Sequence, residues 1–128
     1  MRPLPSEVIA GIRAILADTI APELTNDHAR SRLADIRAVL AQIDWDDAAF
    51  VLKARTSGLA SQLTAAGAWA PDELPSAPQE ESFDAYQQYW ETLGDSAIKV
   101  MKRLAEHLAE HPQDATASAI YRDVLAAL

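Results

Sequence analysis

The sequence contains no cysteine and only four glycines. Without cysteine there is no disulfide framework, no thiolate nucleophile and no cysteine-ligated metal. The glycines are scattered along the chain, so no glycine-rich phosphate loop occurs, and the G-x-S-x-G elbow of serine hydrolases is missing as well. Several common kinds of catalytic site are therefore excluded.

Basic residues are also scarce, with eleven Lys and Arg against nineteen Asp and Glu and a formal net charge of −8. Phosphate backbones and anionic membranes both require a basic surface, so we expect neither a nucleic-acid nor a membrane partner. No apolar run approaches the roughly 18 residues of a membrane-spanning helix. The apolar segment near the N-terminus is interrupted by Glu7, Arg13 and Asp18, which is unlike a signal peptide. We expect a cytoplasmic protein.

No segment shows the period-two alternation of a β-strand, whereas apolar residues recur every three or four positions through most of the chain. A length of 128 residues with 49% hydrophobic residues suits one globular domain. Alanine is abundant and permits close helix packing. The sequence predicts a single all-α domain over residues 1–128, an antiparallel bundle of four to five helices.

Capping residues and prolines mark the expected helix boundaries. The first helix should begin at Ser6 and close at Pro22, and the second should be capped by Thr25, Asn26 or Asp27. The third helix should follow the acids Asp44, Asp46 and Asp47 and stop at Gly67. After a proline-rich loop over residues 68–82, Ser82 should cap a long fourth helix, which either continues through Gly94 or restarts there, and Asp114 should start the last.

One short motif resembles a metal site: His107, Glu110 and His111 follow the H-x-x-E-H order of inverted zincins. Pro112 biases His111 away from helical geometry, and no glutamate after Glu110 can serve as a third ligand. We therefore expect no metal site, no cofactor and no catalytic residues, and interpret the histidines as favourable charges at a helix C-terminus.

The acidic stretch from Asp44 begins like a calcium loop but lacks its glycine and its closing glutamate, where Ala49 and Arg55 stand instead. An EF-hand is thereby excluded. The three acids of this stretch, including Asp46, are interpreted as a cap and first-turn acids of the third helix.

The candidate ligand-binding residues are aromatic or basic. An aromatic band on and before the fourth helix has more surface than one helix seam requires, and a small basic cluster opens the second helix. The members of the two groups are Trp69, Tyr86, Tyr89, Trp90, His28 and Arg32.

Residues 6–43 contain Pro22-Glu23-Leu24 after the first helix and His28-Ala29-Arg30 at the start of the next. This stretch resembles a group of small, uncharacterised all-helical bacterial proteins. Members of that group are encoded near aminoglycoside-phosphotransferase-like kinases and acyl-CoA dehydrogenases. The resemblance implies an accessory role rather than a particular activity.

Two functional hypotheses follow from these features. The abundance of helical apolar surface, without a catalytic constellation, favours a non-catalytic accessory or protein-interaction domain that binds a protein partner or self-associates. The alternative is a small-molecule-binding protein or enzyme with an aromatic-lined pocket between helices near the proline-rich loop.

Overall fold

A computed structural model describes residues 2–128 of the chain. It is 76% helical, with five α-helices and no strand among the described residues, which confirms the all-α fold class. None of these helices has the length and apolar character needed to cross a membrane. The helices are α1 (Pro5–Ile15), α2 (Asp27–Gln42), α3 (Ala48–Ala65), α4 (Phe83–Glu110) and α5 (Ala115–Ala127).

The chain divides into two compact units, Met1–Ala49 and Phe50–Leu128. The N-terminal unit is a hairpin of α1 and α2, and the C-terminal unit contains nearly all of α3 together with α4 and α5. The expectation of a single domain over residues 1–128 stays a prediction.

Helix α1 does not stop cleanly at Pro22 as the sequence predicts. It ends at Ile15 and continues as a π-helical turn, Leu16–Ile20, followed by a 3-10 turn, Ala21–Glu23. Proline is tolerated in the first turn of a helix because the amide it lacks would have no partner there. The chain therefore stays helical past Pro22, and its geometry changes earlier than expected.

The start of α1 is held by a residue from the far end of the hairpin. The backbone N–H of Ser6 donates to Asp46 Oδ1 at 2.9 Å, and its hydroxyl donates to Asp46 Oδ2 at 2.6 Å. These two hydrogen bonds, the hydroxyl first, lower the pKa of Asp46. The prediction that Asp46 serves the third helix was wrong, since its carboxylate binds α1. Only Asp44 acts near α3, where its carboxylate accepts a long 3.4 Å bond from the Asp47 N–H.

The hairpin buries little of its apolar surface. Among residues 2–49 only Leu33 is buried, at 8% exposure. Ile9 of α1, Leu16 of the π-helical turn and Leu40 of α2 are half-buried. Apolar residues at helical spacing in the first two helices are therefore not all buried: Val8, Ile12, Ile15, Ile20, Ile36 and Ile43 are exposed.

The C-terminal unit has a complete three-helix core. Its largest buried side chains are fully enclosed and lie at positions that the helical periodicity predicts: Leu59 and Leu63 of α3, Leu93, Val100 and Leu104 of α4, and Val124 of α5. Phe50 and Phe83 also follow the helical spacing, but they lie near helix starts and are 68% and 59% exposed. Helix α4 is continuous through Gly94, and its 28 residues span about 42 Å.

Capping accounts for most of the remaining boundaries. Asn26 accepts from the N–H groups of His28 and Ala29, which selects it from the three predicted caps of α2. Ser82 and Asp114 cap α4 and α5 as predicted. Just after α3, Gly67 has a φ of +58°, a left-handed conformation that favours glycine over other residues.

Replacing Leu104 by alanine should lower the free energy of unfolding by about 2–5 kcal/mol, because the side chain is fully enclosed and a cavity would remain. The matched control is Leu125→Ala in α5, where the side chain is 53% exposed. That change should cost about 0.5 kcal/mol or less. Urea unfolding followed by circular dichroism measures both, and equal losses would contradict the core assignment.

Replacing Ser6 by alanine should raise the pKa of Asp46 toward its ordinary value, because the strongest hydrogen bond to that carboxylate is removed. A lowered carboxyl pKa adds stability above the unfolded-state pKa, about 3.9, and this contribution is lost as the pH falls through the folded-state value. The variant should therefore be less stable than the native protein at neutral pH, with the difference shrinking below about pH 4.

Urea titrations at several pH values and carboxyl NMR of Asp46 would measure the two effects. Ser31→Ala, an exposed site on α2, is the control. An unchanged Asp46 titration in Ser6→Ala would show that the hydrogen bonds to α1 do not form in solution.

Candidate functional site

The hairpin carries large aliphatic side chains that are 41–56% exposed. We call this set the outer apolar face; it comprises Val8, Ile12 and Ile15 of α1, Ile36 and Val39 of α2, and Ile43, the C-cap of α2. Monomeric proteins rarely expose large contiguous apolar patches, and such patches often mark interaction sites. The outer apolar face is therefore a candidate binding surface.

The two halves of this face lie on the same side of the hairpin. In α1, each of the three exposed residues of this set directly precedes a half-buried residue, as Val8 precedes Ile9 and Ile15 precedes Leu16. The same offset occurs in α2, where Val39 precedes Leu40. One residue is a rotation of about 100° about the helix axis. In two antiparallel helices, the same rotation from the half-buried residue back to the preceding exposed residue leads to the same side of the pair. The six exposed residues therefore form one surface.

A shallow depression of about 290 Å³ lies on the α2 part of this face. It is lined by Arg32 and Asp35 together with Ile36, Val39 and Leu40. Arg32 was a predicted ligand contact, but His28, the other member of that pair, does not line the depression; its backbone N–H donates to the Asn26 cap. The structure thus places Arg32 beside apolar side chains rather than in a basic cluster.

Two arginines, one on each helix of the hairpin, carry buried donor atoms. The Nε atoms of Arg13 and Arg37 are buried and have no hydrogen-bond partner within residues 2–128. Buried donors without partners lower stability. These two arginines therefore add little to the small apolar core around Leu33.

A second candidate site is a cleft of about 630 Å³ inside the C-terminal unit. One wall is a face of α3 with small and hydroxyl side chains, including Ser57 and Ser61; Ala77 of the proline-rich loop and Tyr86 and Tyr89 of α4 complete it. Because the α3 side chains are small, the tyrosines leave an open space instead of packing directly onto the helix.

The cleft has one cationic group among its lining residues, Lys53. Its ammonium lies 5.7 Å from the centre of the Tyr86 ring and 2.6 Å from a carboxylate oxygen of Glu81. The hydrogen bond to Glu81 raises the pKa of Lys53 and lowers that of Glu81. Both side chains are exposed, so the pair is weak and leaves Lys53 available to a ligand. The rings of Tyr86 and Tyr89 meet nearly at right angles, with centroids 6.4 Å apart.

The predicted aromatic band is only partly brought together. Tyr86 and Tyr89 share the cleft, and Tyr89 also packs against the core. Trp90 packs against the core without lining the cleft and lies 5.8 Å below the guanidinium of Arg55. Trp69 meets the His107 ring edge-on, at a centroid distance of 4.9 Å. Helical spacing does not predict which of the four aromatic side chains line a cleft and which pack elsewhere, because all four are amphipathic and partly buried.

The histidines near the end of α4 are engaged within the protein. His107 Nε2 lies 2.8 Å from Asp114 Oδ2, and its ring stacks on that of His111 at 4.6 Å. His111 is the C-cap, with non-helical angles of φ −127° and ψ 65°. The pKa of Asp114 is lowered, first by the Ala117 N–H and then by His107. Within residues 2–128 no three His, Asp or Glu side chains are placed to hold a metal ion.

The pairing of His107 with Asp114 was missed at the level of sequence. Asp114 is seven residues further along and was identified only as a helix cap. Its second carboxylate oxygen reaches back across the short turn between α4 and α5. The sequence did contain a signal for this pair. A histidine in the last turn of one helix is followed, after a tight turn, by the acidic N-cap of the next helix.

Comparison of the chain with family models, with curated proteins and with solved structures finds no match.

Proposed function

We propose that this protein is a non-catalytic interaction module that binds another protein through the outer apolar face of its N-terminal hairpin. The observation that carries the proposal is the contrast within the hairpin: six large aliphatic side chains are exposed on one side while only Leu33 is buried among residues 2–49. Helical segments of this length derive most of their stability from packing an apolar face. This hairpin has such a face on its surface.

Burial of this face supplies a sufficient driving force for association. Complete burial of a Val or Ile side chain contributes about 1.5–3 kcal/mol, and roughly half of that remains available for side chains about half exposed. Surface ion pairs contribute about 0–1 kcal/mol. The aliphatic residues would therefore supply most of the affinity, and the charges around them would select the partner.

The exposed apolar residues of the C-terminal unit are arranged differently. They are distributed over three helices: Phe50 and Val51 start α3, Phe83 starts α4, Ile98 lies mid-helix, and Leu125 lies near the end of α5. Isolated exposed apolar residues are normal on soluble proteins. The C-terminal unit is better interpreted as the stable part of the chain and the hairpin as its binding element.

An accessory role agrees with the resemblance of residues 6–43 to small helical bacterial proteins encoded near kinases and dehydrogenases. That resemblance remains a prediction. The proposal depends on the apolar face and stands without it.

A photoreactive amino acid in place of Val39, in cells that make the protein naturally, should give a discrete cross-linked product, because the residue lies within the proposed interface. The same amino acid at Leu125, equally apolar and about as exposed, should give none. Mass spectrometry of the product identifies the partner. The proposal fails if Val39 yields no product, or the same products as Leu125.

A second function is favoured by the cleft that contains Tyr86 and Tyr89. Its size, about 630 Å³, falls within the range of small-molecule sites. Two tyrosine rings, small side chains and one ammonium group suit a planar molecule with an anionic group, which would stack on the rings and pair with Lys53.

Aromatic carboxylic acids from a metabolite library should include one that raises the thermal midpoint of the native protein. The variant Ser61→Phe, which fills the cleft from α3, should lose that shift. Ser31→Phe on α2 should retain it. Absence of any shift in the native protein, or an equal shift in the filled variant, would remove the cleft as a ligand site.

A further inference from the structure

The charges at the two ends of α2 indicate what covers the outer apolar face. We propose that its partner is a second copy of this chain, docked with the two α2 helices antiparallel about a two-fold axis. This inference rests on the proposed function, because it uses the same face. It adds the identity and orientation of the partner.

The first step is the unequal distribution of charge along α2. On the outer apolar face, Arg32 lies in the N-terminal part of α2 with Asp35 beside it, Asp27 lies in the first turn, and Asp44 and Asp47 follow the C-terminus. Two copies in a parallel arrangement would bring like charges together. In an antiparallel arrangement Arg32 of each copy meets the acidic end of the other, and the two-fold axis forms every such contact twice.

The second step is the register of the apolar residues. If Ile36 of one copy lies against Val39 of the other, symmetry produces the reciprocal contact. Arg32 comes four residues before Ile36, and Ile43 comes four residues after Val39, so these positions then lie opposite each other. Asp44, next to Ile43, is thereby placed beside Arg32 of the other copy. One register thus pairs Ile36 with Val39 and brings Arg32 beside Ile43 and Asp44 of the other copy.

The third step is the incomplete core of the hairpin itself. A single hairpin encloses only Leu33 among residues 2–49. Two hairpins joined through this face form a four-helix bundle, in which a and d-type positions of all four helices become buried. The copies would then supply to one another the packing that each hairpin lacks, which is the usual means by which very small folding units become stable.

Self-association should be measured on the complete chain by analytical ultracentrifugation. We expect a dimer at micromolar concentration. Ile36→Asp should raise the dissociation constant by about 30-fold or more, since each dimer contains the changed side chain twice at the interface centre. The matched control is Ile98→Asp in α4. Ile36 and Ile98 are 52% and 56% exposed, and the control should leave the dimer intact.

The charge register is tested by exchange. Arg32→Glu and Asp44→Arg should each raise the dissociation constant about tenfold, because attraction becomes repulsion at two symmetric positions. The combined variant should return to within about threefold of the native value. Each variant is checked for helix content by circular dichroism. Salt titration is a poorer test because both copies carry a net charge of −8, and their general repulsion responds to salt in the opposite sense.

A chain that stays monomeric throughout the micromolar range overturns the second copy as partner. If Val39 still cross-links to a different protein, the proposed function survives that result; if it cross-links to nothing, both fail. A dimer unaffected by Ile36→Asp places the contact elsewhere and also overturns the inference. Should the dimer respond to Ile36→Asp while the charge exchange does not restore affinity, the antiparallel register is wrong.

Discussion

Two helices in contact can enclose only the strip along which they touch, and this constraint shapes the N-terminal unit. In that unit the groups removed from solvent include Leu33, half-buried aliphatic residues and two arginines whose Nε atoms are buried without partners. The remaining aliphatic residues are left on the outside. A third helix would normally cover them, as in the C-terminal unit, where three helices enclose Leu59, Leu93 and Val124 completely. Both units have alanine-rich, amphipathic helices, but the C-terminal unit encloses its core and the N-terminal unit leaves aliphatic side chains exposed.

The hairpin compensates in part through polar contacts between distant positions. Asp46, beyond the end of α2, binds both the amide and the hydroxyl of Ser6 at the start of α1. This double contact satisfies donors at a helix N-terminus and links the two ends of the unit. A carboxylate is suited to this position because the N-terminal amides of a helix attract negative charge. The result is a hairpin with defined ends and an unfilled side, the form expected of a binding element.

The C-terminal unit combines a stable core with a surface cleft, and both depend on α3. Its larger residues, Leu59 and Leu63, turn into the core, while its small residues form the wall opposite Tyr86 and Tyr89. At the other end of the unit, Asp114 caps α5 with one carboxylate oxygen and pairs with His107 through the other. In the motif that resembles a zinc site, His107 thus pairs with the carboxylate that caps α5, and His111 is the C-cap of α4.

What the sequence determined by itself was local: the all-α class, the start of α2 within residues 25–27, the cap at Ser82, the start of α5 near Asp114, the end of α3 at Gly67, and the central core of the C-terminal unit. Capping and periodicity depend on neighbours within a few residues, so one sequence contains the necessary information. The tertiary structure decided which apolar stripe becomes covered, because Ile36 and Leu93 have the same helical spacing and differ only in whether a further helix packs on them. It also decided that Asp46 binds α1, that His107 meets Asp114, and that Tyr86 and Tyr89 share a cleft without Trp90. Each of these depends on the direction in which a side chain leaves its helix and on what lies there, which spacing along one chain does not specify.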